Sequence, residues 1–153
     1  MSFWNTLRVG MSGLSAQRLR LDVIANNVAN AETTRTEEGG PYRRKDVVFT
    51  PQGQDQFLPG LVKARRTENA SPNALLDVGG VRVSEVITDD EELPKVYDPS
   101  HPDADEEGFV TYPNVNIVVE MTNMLSATRS YEANLSIIEA AKSMALRALD
   151  IGR

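Results

Sequence analysis

The sequence predicts an α+β chain: long N- and C-terminal α-helices pair as an antiparallel coiled coil, and a small β-rich domain is inserted between them. Three observations lead there. Each end carries apolar or small residues at alternating four- and three-residue intervals and contains no proline. All eight prolines, and eight of the ten glycines, lie between residues 39 and 113 or at the very end. Within that breaker-rich middle, two stretches show the two-residue alternation of strands.

The first helix is read over residues 3 to 31, with its seam at Phe3, Leu7, Gly10, Leu14, Leu21, Ile24, Val28 and Ala31, interrupted by Gln17. The coiled-coil segment is set at residues 1–34 and the β-rich domain at 35–115. In that domain "YRRKDVVFTP" and "VRVSEV" suit edge strands. Nine acidic residues against Lys95 alone, between Asp89 and Glu107, mark an acidic, proline-punctuated loop whose carboxylates face solvent or cap turns. The last segment, 116–153, holds a longer helix with its seam at Ile117, Met121, Met124, Thr128, Tyr131, Leu135, Ile138, Ala145 and Leu149.

Both helices also carry apolar residues off those seams. Val9, Met11, Leu19 and Val23 belong to the first; Val118, Val119, Leu125, Ile137, Met144, Leu146 and Ile151 belong to the second. Two helices cannot cover that much apolar surface, and such a face marks an interaction site, so neighbours from other chains are expected.

"LDVIANNVANAETT" places three amides inside this pattern. Asn26 and Asn30 are four apart, and Asn27 and Asn30 are three apart, so the group is read as a cluster that fixes register and partner geometry. For Asn30 alone, a position at the helix C-terminus explains the amide equally well. Arg129, Tyr131, Glu132 and Asn134 are read as polar or aromatic contacts between subunits, although Arg129 and Glu132 also suit a surface pair.

Composition removes other classes. A formal charge of −6 without a basic stripe excludes a nucleic-acid partner. The absence of cysteine excludes disulfides, Cys-based zinc sites and thiol nucleophiles. No apolar run approaches the roughly 20 residues of a membrane span, so no direct membrane insertion is expected. The N-terminus "MSFWNTLRVGMSG" lacks the pattern of a cleaved signal peptide. No catalytic motif, cofactor loop or metal-ligand spacing occurs. His101 sits between Ser100 and Pro102 as a loop residue. The stretch from Asp103 resembles a calcium loop only partly, since Asn114 stands where a bidentate glutamate belongs and prolines forbid the preceding helix. The chain is read as no enzyme, with no cofactor and no metal.

"SGLSAQRLRLDVIANNVANAETT" resembles the N-terminal signature of bacterial flagellar axial proteins, the rod, hook and filament subunits. "DPSHPDADEEGFVTYPNVNIVVEMTNMLSATRSYEANLSIIEAAKSMALRALDIGR" and "TEEGGPYRRKDVVF" are similar to the proximal-rod members of the flagellar basal body. The insertion of "RTEEGG" before Pro41 and Tyr42 departs from hook and distal-rod relatives, and residues 52 to 80 match least. The resemblance implies a structural subunit whose terminal helices build the inner layer of a helical tube that carries torque from motor to hook. It implies a periplasm-spanning location in the basal body. The implied partners are other rod subunits, further copies of itself and the flagellar type III export apparatus. "FWNTL" is similar to the export-gate motif of rod and hook subunits, which would give Phe3 and Leu7 an export role. The alternative from another class is a soluble helical-hairpin adaptor or export chaperone that binds one partner protein.

Overall fold

A computed structural model describes residues 3–37, 39–52 and 79–151. Residues 53–78, most of the stretch with the weakest family likeness, lie outside the described residues. The chain runs through α1 (Phe3–Ala29), β1 (Lys45–Pro51), β2 (Val81–Thr88), β3 (Lys95–Tyr97), β4 (Phe109–Thr111) and α2 (Ile117–Ile151). At 27 and 35 residues the helices are about 40 and 50 Å long.

The two helices pack antiparallel along their length. An added Cβ at Gly10 would stand 2.9 Å from Ile138 Cγ1, one at Gly13 would stand 2.9 Å from Asn134 Nδ2, and Asn27 bonds Glu120. Partners on α1 advance while those on α2 retreat. The fold is the α+β arrangement read from the sequence.

The inward rows differ from the predicted seams at every second position. On α2 the inward row is Glu120, Met124, Ala127, Tyr131, Asn134, Ile138, Ala141 and Ala145, each buried or half-buried. Met124, Tyr131, Ile138 and Ala145 were in the predicted seam. Met121, Leu135 and Leu149 were too, but they are exposed, and each sits one residue beyond an inward position or its continuation. The same displacement holds on α1. Gly10 and Ile24 face inward as read; Gly13, set against Asn134, takes the place read for Leu14, and the buried Asn27 takes that of the half-buried Val28. The physical reason is close approach: with glycine on one helix, the backbones come too near for leucine rows to interdigitate, and small or mutually bonded polar residues fill the contact.

A second face of α1 is covered by the β1–β2 hairpin, an antiparallel pair with a bulge between Val48 and Phe49. Ser12 Oγ donates to Val9 O (2.7 Å) and accepts from Val81 N (3.1 Å), which pins the hairpin to α1. Gly80 packs so tightly that a Cβ there would lie 2.9 Å from Ser12 Cβ. Val9 and Val23, predicted as uncovered, are therefore half-buried, while Met11 and Leu19 remain exposed.

The acidic loop contains more order than its composition suggests. β3 and β4 pair antiparallel within it, with Tyr97 edge-on to Phe109 at 5.3 Å. Its aspartates cap turns: Asp98 Oδ1 accepts from Ser100 N and Oγ, and Asp105 Oδ1 accepts from Glu107 N and Phe109 N. Gly108 turns the chain at φ +83°. His101 accepts from Asp103 N through Nδ1, so it serves as a loop residue. Thr34 Oγ1 donates to Asp103 Oδ2 at 2.7 Å, tying the end of α1 to this loop.

Candidate assembly site

Two features position the helices for contact with anything outside the chain: a buried polar junction at one end of the pair, and apolar rows left on the flanks.

The junction is built on Asn27. The turn after α1 brings Tyr42, Arg44 and Lys45 back against the last turn of the helix, and the first turn of α2 supplies Glu120. Asn27 is 0% exposed and uses its whole amide. Nδ2 donates to Lys45 O (2.8 Å) and Glu120 Oε2 (3.0 Å); Oδ1 accepts from Tyr42 Oη (2.9 Å) and Lys45 N (3.0 Å). Glu120, 1% exposed, also accepts from Arg44 Nε at 3.0 Å. Arg44 reaches Asp46 and Asp89 at 3.6 and 4.0 Å, and its backbone N donates to Asn114 Oδ1 at 3.0 Å. One amide therefore joins α1, β1 and α2, satisfied to the limit of its donors and acceptors.

Electrostatics follow from this burial. The Tyr42 hydroxyl is pushed above its ordinary pKa, first by burial and then by the charge of Glu120. Burial alone would lower the Arg44 pKa, but the hydrogen bond and charge of Glu120, with Asp46 and Asp89, outweigh it and leave it raised. Because the folded Tyr42 titrates above its unfolded value, its contribution is present below about pH 10 and disappears as pH rises through the folded pKa. Tyr42→Phe is therefore expected to cost about 1 kcal/mol at pH 7 and to flatten the loss of stability above pH 10. Urea midpoints measured between pH 7 and 11 check both arms.

The three asparagines do not act as one cluster. Asn27 faces into the junction, whereas Asn30 Nδ2 donates to Asn26 O (2.9 Å) and Asn26 Oδ1 (2.7 Å) on an exposed side, and Thr33 Oγ1 donates to Asn30 Oδ1 (3.2 Å). Asn26 and Asn30 thus bond each other at the helix end, and Asn27 bonds β1 and α2 within the chain. Tyr42, Arg44 and Glu120 were not singled out from the sequence. The available signal was Glu120 itself, a carboxylate one turn into an apolar helix.

The remaining predicted positions divide by face. Ile24 is buried; Leu7, Leu14, Leu21, Val28, Met124, Tyr131 and Ile138 are half-buried. Asn134 is half-buried against Gly13, and its Nδ2 donates to Ser130 O at 3.0 Å within α2. Arg129 and Glu132 are exposed. Ile117, Met121, Leu135 and Leu149 point outward, joined by Val118, Leu125, Ile137, Met144 and Leu146. Phe3 and Leu7 stand one turn apart, Phe3 exposed and edge-on to Trp4 at 5.7 Å. Among the described residues no group of three His, Asp or Glu side chains is arranged to hold a metal, and no helix is long and apolar enough to cross a membrane.

Comparison with known proteins covers the chain end to end. A family described as "Flagella basal body rod protein" matches residues 7–35, and one described as "Flagellar basal body rod FlgEFG protein C-terminal" matches residues 106–151. The flagellar basal-body rod protein FlgC of Borreliella burgdorferi is 43% identical over 99% of this chain and 98% of its own. Those of Bacillus subtilis and Salmonella typhimurium are each 39% identical over the whole of both chains.

Proposed function

Because this chain belongs to the family of flagellar basal-body rod proteins and is a structural subunit of the rod, we propose that it enters the proximal rod through the outward rows of its terminal helices. In this reading the helix pair is one stave of a helical tube, the β-rich segment lies outside, and the contacts resist shear so that torque passes from motor to hook. Its neighbours are other rod subunits and further copies of the chain. The flagellar type III export apparatus delivers it to the periplasm-spanning rod, and Phe3 and Leu7 serve its recognition there.

The carrying observation is the outward apolar flank of α2, where Val118, Met121 and Leu125 are each more than half exposed although α1 already occupies the inward face. Covering the part of each side chain still exposed is worth about 1–2 kcal/mol, which an isolated chain forgoes. Asn27 supports the same reading from inside: a stave must hold its own shape before it can be locked to others.

Leu125→Asp tests the proposal. An exposed position away from caps and junctions is expected to change the stability of the free chain by less than about 0.5 kcal/mol. Recovery of the variant in purified basal bodies, in a host deleted for its own copy, should fall at least tenfold, and swimming in soft agar should be lost. Normal swimming by Leu125→Asp would overturn the proposal. A soluble adaptor would show the opposite pattern, with the wild-type chain absent from basal bodies.

A further inference from the structure

Between the turn after α1 and the acidic loop lies a pocket of about 410 Å³, with Thr34, Arg35 and Pro41 on one side and Pro102, Asp103 and Asp105 on the other. β4 closes it through Phe109, Val110 and Thr111. Its volume falls within the roughly 300–1,000 Å³ of ligand sites. One wall comes from the "RTEEGG" stretch that departs from hook and distal-rod relatives, where Gly39 and Gly40 turn the chain at φ +89° and +80°. Neither the Asn27 junction nor the outward helix rows use this pocket. We propose that it docks a basic, extended segment of a partner protein, whose backbone bridges Thr111 while an arginine or lysine side chain takes Asp103 and Asp105.

An open strand edge is the first observation. Asp98 N donates to Gly108 O and Tyr112 N donates to Pro94 O, both at 2.9 Å. These bonds make Lys95–Thr111 and Tyr97–Phe109 the non-hydrogen-bonded pairs of the β3–β4 ladder, so the N–H and C=O of Phe109 and Thr111 point away from β3. At Phe109 that edge is filled. Its N donates to Asp105 Oδ1 (2.8 Å), and its O accepts from Asp105 N (2.9 Å). At Thr111 neither group has a partner among the described residues. Because Thr111 lines the pocket, the next strand place along this edge is open where the cavity lies. An extended peptide supplies the one donor and one acceptor that such a place takes.

Charge is the second observation and is independent of the first. Asp103 Oδ2 accepts from Thr34 Oγ1, and Asp105 Oδ1 accepts from two backbone amides, so Asp103 Oδ1 and Asp105 Oδ2 are the oxygens left for a ligand. Among the described residues lining the pocket the cation is Arg35, which comes no nearer than 3.9 Å to Asp103 Oδ1 and keeps 80% of its side chain exposed. That is too long for a hydrogen bond. The pocket therefore sets two carboxylates against one loosely held guanidinium. Arg35 stands near the place that a better positioned cation would take, with charge-assisted bonds in place of a distant pair.

A nuclear magnetic resonance titration of the full-length chain with the capped peptide Val-Thr-Arg-Thr-Val should show a saturable shift of the Thr111 amide. The same peptide with citrulline, which keeps the shape and loses the charge, should bind at least tenfold more weakly. Asp103→Asn combined with Asp105→Asn keeps both turn acceptors and should also weaken binding at least tenfold, at an unchanged urea midpoint. Removing the same charge elsewhere, with Asp22→Asn and Glu139→Gln, should leave the affinity within twofold. Arg35→Ala separates the two signs of ligand: a cation gains at least threefold when its rival is removed, whereas an anion loses its partner. Spermidine, a cation without a peptide backbone, should bind at least tenfold more weakly than the arginine peptide.

Tighter binding of Val-Thr-Glu-Thr-Val, or weaker binding of the arginine peptide to Arg35→Ala, would overturn the proposal in favour of an anion site. Equal losses in the two paired variants would overturn it in favour of diffuse attraction to a net charge of −6. Spermidine as tight as the peptide, or saturation with no shift at Thr111, would remove the backbone bridge and the peptide with it. No binding of the arginine peptide at millimolar concentration would overturn the site itself. The site needs nothing from the outward helix rows, so absence of the chain from basal bodies would strike the rod reading and leave this one standing.

Discussion

Asn27→Ala is expected to cost about 4 kcal/mol, close to a thousandfold in the folded-to-unfolded ratio. Truncation removes four hydrogen bonds at once and leaves Tyr42 Oη, Lys45 N and O, and the Glu120 carboxylate without that amide in a dry site. The buried Glu120 carboxylate dominates the sum: it keeps Arg44 Nε at 3.0 Å and Asn123 Nδ2 at 3.4 Å but loses the amide that bonded its other oxygen. Asn26→Ala, which removes exposed bonds within one helix end, should cost less than about 1 kcal/mol. Asn27→Asp sharpens the assignment. It sets an acceptor where the amide donated to Glu120 Oε2 and Lys45 O, so the new carboxyl has a folded pKa raised above its unfolded value of about 3.9. Its penalty is then smallest below that value and grows as pH rises, so the variant should lie nearer wild type at pH 5 than at pH 7.5. Urea unfolding followed by helical circular dichroism reads all three variants. Equal stability of Asn26→Ala and Asn27→Ala would remove the junction from its central place.

The contrast between those neighbouring asparagines marks where sequence reading reaches its limit. A four-three spacing of apolar residues located both helices to within two residues of their ends, because 3.6-residue periodicity is a local property of the chain. The strands in "KDVVFTP" and "VRVSEVIT" were legible for the same reason. Which asparagine turns inward is settled instead by Tyr42 and Glu120, one 15 and the other 93 residues distant, and no local pattern carries that. The rows of α2 show the same limit. Periodicity favours Met121 and Leu135 over Glu120 and Asn134 because hydrophobicity is the only signal it weighs. The fold chose otherwise: Met124, Tyr131 and Ile138 face inward as nominated, while Ile117, Met121, Leu135 and Leu149 are left outward. The β3–β4 hairpin escaped notice because three-residue strands are too short to show alternation, and its stability comes from Asp98 and Asp105 turn bonds.

Gly10→Leu and Gly13→Leu carry the second large effect, about 3 kcal/mol each. Isolated helix propensity points the other way: leucine is favoured over glycine by roughly 0.5–1 kcal/mol in a helix interior. The outcome therefore separates two explanations of why glycine stands inside α1. If these glycines merely weaken a helix, either substitution stabilises the chain. If they admit α2, the new side chain collides with Ile138 or Asn134, whose atoms already lie 2.9 Å from the nearest possible Cβ. Alanine grades the test. At Gly13 a methyl meets the end of the Asn134 side chain, which can swing aside, so Gly13→Ala should change stability by less than about 1 kcal/mol as propensity gain offsets crowding. At Gly10 it meets Ile138 Cγ1, a branch held close to its backbone by β-branched stiffness, so Gly10→Ala should be the costlier alanine. The leucine variants should also separate the helices and misplace Asn27 from Glu120, lowering recovery in basal bodies together with the urea midpoint. A stable Gly10→Leu chain with unaltered assembly would show that the helices can part at no cost, and the rigid stave would have to be abandoned.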